Sequence, residues 1–256
     1  MVRIKIIILF VLGILVGICL CILYAFLIEP KWVKIKNVDL SNNSPSIRLI
    51  HISDIHYKGD KPYLEKVVKL INKIDADFVC FTGDLIEEEQ FQKESLEILS
   101  NVNKPIFSIP GNHDYWSKAP INLMDVYFKK TGGRLLLNEI VELKEKNALI
   151  IGVNEFSSSF VNNIQPDLIN NKKTILLVHY PDFANEIKNK KFSIILAGHS
   201  HGGQVNIPFL NPYIPRYYQK GLYKTESGYL YVNPGLGTFL YPIRFNCRPE
   251  ITVISL

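Results

Sequence analysis

Five short stretches of this 256-residue chain carry the side chains best able to bind a metal ion. They read Asp54-Ile55-His56, Gly83-Asp84, Gly111-Asn112-His113-Asp114, a lone His179, and Gly198-His199-Ser200-His201. Together they hold five of the six histidines, so a scarce residue is concentrated where carboxylates and an amide also occur. Imidazole, carboxylate and amide oxygen are the mixture that two adjacent divalent cations bridged by one carboxylate need. Singly the patterns are ordinary: Asp and His two apart arise by chance, and Gly-Asp is common turn chemistry. Asn112-His113-Asp114 and His199-x-His201 are more specific, and the five in this order form a joint signal.

Something must carry these stretches to one place. Each follows a short apolar run, at residues 47–52, 78–81, 106–109, 175–178 and 194–197. These runs are rich in β-branched or aromatic side chains and read as buried strands. Between them, Pro62 suits a first helical turn, followed by Leu64, Val67, Val68 and Ile71 at helical spacing. Phe91, Ile98 and Leu99 suggest a second helix, and Leu123, Val126 and Tyr127 a third. Strands alternating with helices indicate an α/β fold. Its ligands would gather in the loops beyond the strand ends. Residues 135–143, 148–153, 229–232 and 251–256 suggest a second set of strands.

The N-terminus is different material. Residues 6–28 form an uncharged apolar run long enough to cross a bilayer as a helix. Arg3 and Lys5 precede it, while Trp32, Lys31, Lys34 and Lys36 follow and suit the headgroup region. A cleavable signal peptide is the rival, but the run exceeds a usual h-region and lacks an A-x-A-like site. Val16-Gly17-Ile18-Cys19 is also a poor lipoprotein signal. The expected organisation is a transmembrane anchor at 1–30, a juxtamembrane linker or first strand at 31–45, and one large domain at 46–256. That makes a single-pass protein of the cell membrane. The flanking charges leave the side of the domain open, since long domains translocate with little regard for charge; its place after a signal-anchor-like segment leans the expectation outside the cytoplasm.

The net charge of +5 is local. Residues 1–36 hold five bases and one acid, which leaves 24 bases against 23 acids in the other 220 residues. The basic flanks can attract anionic lipids, whereas a near-neutral domain argues against a broad nucleic-acid footprint. Four scattered cysteines (Cys19, Cys21, Cys80, Cys247) form no CxxC and read as small buried hydrophobes.

Over roughly residues 46–256 the five motifs resemble the calcineurin-like metallophosphoesterase superfamily. Gly202-Gly203-Gln204 and Asn233-Pro234-Gly235-Leu236-Gly237 look like its bacterial membrane-associated branch, similar to UDP-2,3-diacylglucosamine pyrophosphatase-like phosphoesterases. The resemblance implies a four-layer α/β/β/α sandwich, here preceded by one N-terminal transmembrane helix. It implies that Asp54, His56, Asp84 and His201 hold one metal, and that Asp84, Asn112, His179 and His199 hold the other, with Asp84 bridging. Mn, Fe or Zn suits so imidazole-rich a set. In-line attack of a metal-bridging hydroxide on phosphorus is the implied mechanism. By the same resemblance His113 would stabilise or protonate the leaving oxygen, with Asp114 fixing its orientation. Ser200 stands where threonine is commoner, but it is not a ligand.

The expected substrate is a phosphodiester or pyrophosphate of a lipid or lipid-linked molecule, UDP-2,3-diacylglucosamine being one such case. A phosphatase or phosphodiesterase for soluble nucleotides or phosphoproteins is the first alternative. A non-catalytic scaffold is the second, and the complete ligand set counts against it. Several residues take plainer readings. His51 is expected to pack or hydrogen-bond inside the first strand. The Glu87-Glu88-Glu89 run reads as a solvated helix start. Arg134, Arg216, Arg244 and Arg248 are spare phosphate-binding candidates, none of them singled out. The Pro- and aromatic-rich residues 208–218 are either a rim for an acyl chain or bilayer, or an ordinary packed loop.

Overall fold

The computed structural model describes residues 2–41, 46–155, 157–207 and 218–256. Its first strands are β1 (Lys34–Asp39), β2 (Arg48–Ile52), β3 (Phe78–Phe81), β4 (Ile106–Ser108), β5 (Arg134–Leu135) and β6 (Glu139–Leu143). There follow β7 (Ala148–Gly152), β8 (Lys173–Leu177), β9 (Phe192–Ala197), β10 (Gly221–Thr225), β11 (Gly228–Val232) and β12 (Glu250–Ser255). They form two six-stranded sheets, ordered β1-β12-β2-β3-β4-β5 and β10-β11-β9-β8-β7-β6. Strands β2 to β5 run parallel, as do β7, β8, β9 and β11. Their C-terminal ends therefore open onto common edges, which is where the candidate metal-binding motifs lie.

Successive strand residues face opposite sides of a sheet, and here both sides are apolar. Leu49, Phe78, Cys80, Ile175, Leu177, Ile194 and Leu196 fill the space between the two sheets. Ile50, Ile52, Val79 and Phe81 point the other way, into a second apolar layer. Leu176, Val178, Ile195 and Ala197 build a third, on the far side of the second sheet. Three apolar layers mean four layers of structure, as the resemblance implied. Cys80 and Cys247 are buried, consistent with their plain reading, whereas Cys19 and Cys21 are exposed along the N-terminal helix.

The helices are α1 (Val2–Leu23), α2 (Lys61–Lys73), α3 (Gln92–Leu99), α4 (Asn112–Trp116), α5 (Asn122–Lys130), α6 (Ser158–Asn163) and α7 (Pro166–Ile169). Leu64, Val67, Val68 and Ile71 of α2 are all buried against the first sheet. Burial of such side chains is worth about 1.5–3 kcal/mol each. Asp60 caps the helix by accepting from Tyr63 N at 3.2 Å, a contribution of only about 1 kcal/mol. Packing rather than capping holds α2 down. Val161 of α6 and Ile169 of α7 cover the second sheet.

Three expectations need correction. Residues 135–143 are not one strand: β5 ends the first sheet and β6 begins the second, with Asn138 between them at φ +58°. Residues 251–256 belong to the first sheet, where β12 sits between β1 and β2. An apolar run declares burial but not which of two sheets it joins. On α5, Tyr127 is buried and Leu123 packs against the core as expected, but Val126 is 53% exposed, and Met124 and Phe128 are the further buried positions.

Outside the four layers, α1 is long and apolar enough to cross a membrane, and Arg3 to Leu23 are all exposed. Its continuation is partly docked. A π-helical turn (Tyr24–Ile28) and a 3-10 turn (Glu29–Lys31) bury Ala25 and Glu29 against the domain. Arg244 N donates to Ala25 O at 3.0 Å, and Glu29 accepts from the backbone of Asn246 and Cys247 at 3.1 and 2.5 Å. The apolar run at 6–28 thus overshoots the exposed helix, because its last turn is a docking element. Of the two readings for 31–45, a strand is present at Lys34–Asp39.

Candidate metal centre

Backbone strain marks the site before any side chain is considered. Asp54, His56, Asp84, His199 and His201 all sit at positive φ, between 42° and 65°. That region is uncommon for residues with a Cβ and costs of order 1–3 kcal/mol each. Packing compensates for the strain. Gly198 passes so close to Asp54 that a Cβ there would collide with Ser53 Oγ and Asp54 Oδ2. Gly111 is equally confined, since its Cβ would overlap Asp84 Oδ1.

The side chains converge in two overlapping groups. In the first, His56 Nε2 lies 3.0 Å from His201 Nε2 and 3.4 Å from Asp84 Oδ2. Asp54 Oδ1 is 4.0 Å from His56 Nε2 and 3.7 Å from His201 Nε2. In the second, His179 Nε2 lies 3.3 Å from Asp84 Oδ2, 3.1 Å from Asn112 Oδ1 and 3.2 Å from His199 Nδ1. Asp84 Oδ2 faces both groups, the position a bridging carboxylate needs. All seven residues that the motifs nominated are brought together.

Tautomers follow from the outer partners. His179 Nδ1 donates to Thr82 O at 2.7 Å, and His56 Nδ1 donates to Glu87 Oε1 at 2.7 Å. Each ring then turns a lone pair inward. When His179 is neutral, its Nε2, Asn112 Oδ1 and Asp84 Oδ2 present three acceptors to one another with no proton among them. A cation resolves that arrangement, so the donor set fits divalent metal ions. The electrostatics agree. Burial alone would depress the His179 imidazolium, but Asp84 and then Asp54 outweigh it and raise its pKa to about 9. Burial pushes the Asp84 carboxyl up, yet the charge and hydrogen bond of His179 more than offset this and hold it well below the carboxylate range. Burial drives His201 far below the imidazole range, helped by His56 and Arg244. The pocket favours positive charge beside Asp84.

Glu87 is the residue that sequence reasoning missed. It does not belong to a solvated helix start: its Oε1 holds His56 and its Oε2 accepts from His113 Nδ1 at 2.9 Å. One carboxylate thus orients a candidate ligand and the candidate acid. The only signal was its place three residues after Asp84, on the same loop. Replacing it by glutamine should lower metal affinity or turnover by about 10–100-fold, which titration with Mn²⁺ and rates on an aryl phosphodiester would measure.

Asp114 needs a second correction. Its carboxylate does not orient His113; it accepts from the backbone N–H groups of Asp84, Leu85 and Gly111 at 2.8–2.9 Å. Burial and then Asp84 raise its pKa to about 6. It binds two metal-site loops to each other instead. The reason is geometric, because Asp114 lies on the first turn of α4 facing inward while His113 faces the cleft.

Other expectations resolve plainly. His51 is fully buried, with Nε2 2.9 Å from Thr82 Oγ1, and burial pushes its pKa down to about 3. Arg244 is buried and donates to the carbonyls of Pro234, Gly237 and Cys247, so it binds no phosphate. Gly237 N in turn donates to Asp54 O at 2.7 Å, so the Asn233-Pro234-Gly235-Leu236-Gly237 motif braces the first ligand loop. Arg134 pairs with Glu139, and Arg248 lies over Trp32. Arg216 and residues 208–217 fall outside the described residues; Tyr218 bonds Asn185 at 3.0 Å. A cleft of about 550 Å³ opens over Asp84, Asn112, His113, His199 and His201, rimmed by Trp116, Phe239, Leu240 and Tyr241.

Comparison with known proteins agrees with this geometry. The uncharacterized metallophosphoesterase YkuE of Bacillus subtilis is 30% identical, over 91% of this chain and 88% of its own. The phosphodiesterase YaeI of Escherichia coli is 25% identical, over 91% of this chain and 92% of its own. The UDP-2,3-diacylglucosamine pyrophosphatase LpxG of Chlamydia muridarum is also 25% identical, over 89% and 90%. TT1561 of Thermus thermophilus shares the fold, with a TM-score of 0.53 at 16% identity over 74% of this chain and 90% of that one. The model of the calcineurin-like phosphoesterase family matches residues 47–203. Two stacked sheets and the converging imidazoles and carboxylates at their edge thus place this chain in the calcineurin-like phosphoesterase family, whose members hydrolyse phosphoester bonds through a dinuclear divalent metal centre.

Proposed function

We propose that this protein is a membrane-anchored hydrolase of a phosphodiester or pyrophosphate bond in a lipid or lipid-linked substrate. The observation that carries the reading is the placement of the cleft. Candidate metal ligands form its floor, and exposed apolar side chains form its rim. Leu240 and Ile243 beside the aromatic rings give acyl chains an apolar surface to lie on. The activity named for LpxG, cleavage of UDP-2,3-diacylglucosamine, is one member of the substrate class. Val2–Leu23 would be the single span, and its signal-anchor-like position favours a domain outside the cytoplasm.

In this reading Asp54, His56, Asp84 and His201 hold one ion, while Asp84, Asn112, His179 and His199 hold the other. Mn, Fe or Zn suits these donors. Such a pair supplies Lewis-acid charge and an activated water for in-line attack at phosphorus. The chain's own groups do the rest. Glu87 fixes the rings of His56 and His113 together. Burial lowers the His113 pKa, but the Glu87 hydrogen bond and Asp84 outweigh it and raise the pKa above the usual imidazole value. His113 is therefore equipped to give a proton to the departing oxygen.

A metal-reconstituted screen of the full chain across lipid, nucleotide and peptide phosphates tests the assignment. Lipid diesters or pyrophosphates in mixed micelles should be turned over fastest. Faster turnover of a free nucleotide would make the alternative substrate class correct. No hydrolysis of any phosphate with added Mn²⁺ would leave only a scaffold.

A further inference from the structure

We infer that residues 239–243 and Trp116 form a lip that lies against the bilayer, so that a lipid's phosphate reaches the metal ligands while its acyl chains remain in the membrane. The inference rests on the membrane-anchored reading above and adds the surface that carries it. Leu240, Tyr241 and Trp116 are 70%, 69% and 68% exposed, and they stand together at the mouth of the catalytic cleft. Single exposed apolar residues need no explanation, but a cluster at a site mouth does.

The lip is tied to the end of the anchor through one residue. The Gln204 side chain donates to Phe239 O and Tyr241 O at 3.1 and 3.2 Å and accepts from Phe239 N at 2.8 Å. Its backbone oxygen accepts from Phe245 N at 3.0 Å. The Phe245 ring meets Tyr24 edge-on, with centroids 6.3 Å apart, and the neighbouring Arg244 N bonds Ala25 O. Gln204 lies only three residues beyond His201, so ligand, lip and anchor end form one connected unit.

Lengths place that unit at the membrane surface. Counted from Ile6, the first residue past Arg3 and Lys5, a helix rising 1.5 Å per residue crosses a hydrocarbon core of roughly 30 Å in about 20 residues. Tyr24 and Ala25 then sit where that core ends. Leu240 is four residues from Arg244, which limits their separation to about 14 Å even for extended chain. Lys34, Lys36, Lys220 and Arg248 line a second cavity of about 390 Å³ beside Tyr24 and Glu29. Cations at that level suit anionic headgroups. Tyr24 and Trp32 are the aromatic types that such a zone favours.

The chain's two tryptophans, Trp32 and Trp116, allow a direct test. The full chain, as Trp32→Phe or Trp116→Phe, is reconstituted in phosphatidylcholine vesicles whose acyl chains are brominated near the headgroup. Bromolipid should quench both remaining tryptophans, and aqueous iodide should quench Trp116 only weakly. Quenching of Trp32 by bromolipid, with Trp116 reached by iodide alone, overturns the lip and leaves the anchor standing. Quenching of neither by bromolipid overturns the anchored reading, and the lip falls with it. As a second readout, Leu240→Glu with Tyr241→Glu should lower the ratio of turnover on vesicle lipid diester to turnover on a soluble aryl diester by about tenfold or more, given the apolar burial lost. An unchanged ratio overturns the role of the lip in selecting substrate.

Discussion

Asp84→Asn should abolish turnover and leave the chain short of at least one metal ion. The substitution conserves shape: the backbone N–H of His113, 2.8 Å from Asp84 Oδ1, keeps an oxygen to bond. What disappears is the one negative charge placed between both donor groups, 3.3 Å from His179 Nε2 and 3.4 Å from His56 Nε2. An amide oxygen cannot balance two divalent ions side by side. Losing several kcal/mol of charge stabilisation at the reacting phosphoryl group corresponds to about 10³-fold or more in rate. Metal analysis of the purified variant and rates on a soluble phosphodiester measure both halves of the expectation. Two ions per chain together with undiminished turnover would remove Asp84 from the bridging position.

His113→Ala should behave in the opposite way toward metal. The His113 side chain contributes to neither donor group; its Nδ1 is engaged by Glu87, and its ring packs beside Trp116 and Phe239 at centroid distances of 4.9 and 5.3 Å. Both ions should therefore stay. Turnover should fall by about 10²–10⁴, the usual range for a lost proton transfer. The loss should be largest for alkoxide leaving groups and smaller for nitrophenolate, which departs without a proton. An equal loss for both would mean that His113 positions substrate rather than donating to it.

The candidate ligands were legible because metal binding demands particular atoms, and few residue types supply them. All seven nominated side chains converge, from loops that follow β2, β3, β4, β8 and β9. Glu87 stayed hidden because a glutamate in an acidic run looks the same whether it is solvated or folded back onto two imidazoles. Asp114 was misjudged for a related reason. Adjacency to His113 suggested a partner, whereas the first turn of a helix sends neighbouring side chains in different directions. Hydrophobic periodicity located nearly every strand, but it could not divide residues 135–143 between two sheets or move β12 into the first. Sheet membership is decided by long-range pairing, which a local pattern does not encode.

The tether at Glu29 has a consequence for how the molecule is made. Its amide partners, Asn246 and Cys247, follow it by more than two hundred residues, and β1 lies beside β12. The brace on the Asp54 loop, through Gly237 and Arg244, is also drawn from late sequence. A ribosome adding roughly 5–20 residues per second would complete the apolar helix α1 well before any of these clasps exists. Through that interval the early candidate ligands have no late partners, and the nascent polypeptide holds only part of the donor set. Closing the pocket and docking the end of α1 are one late event in biosynthesis.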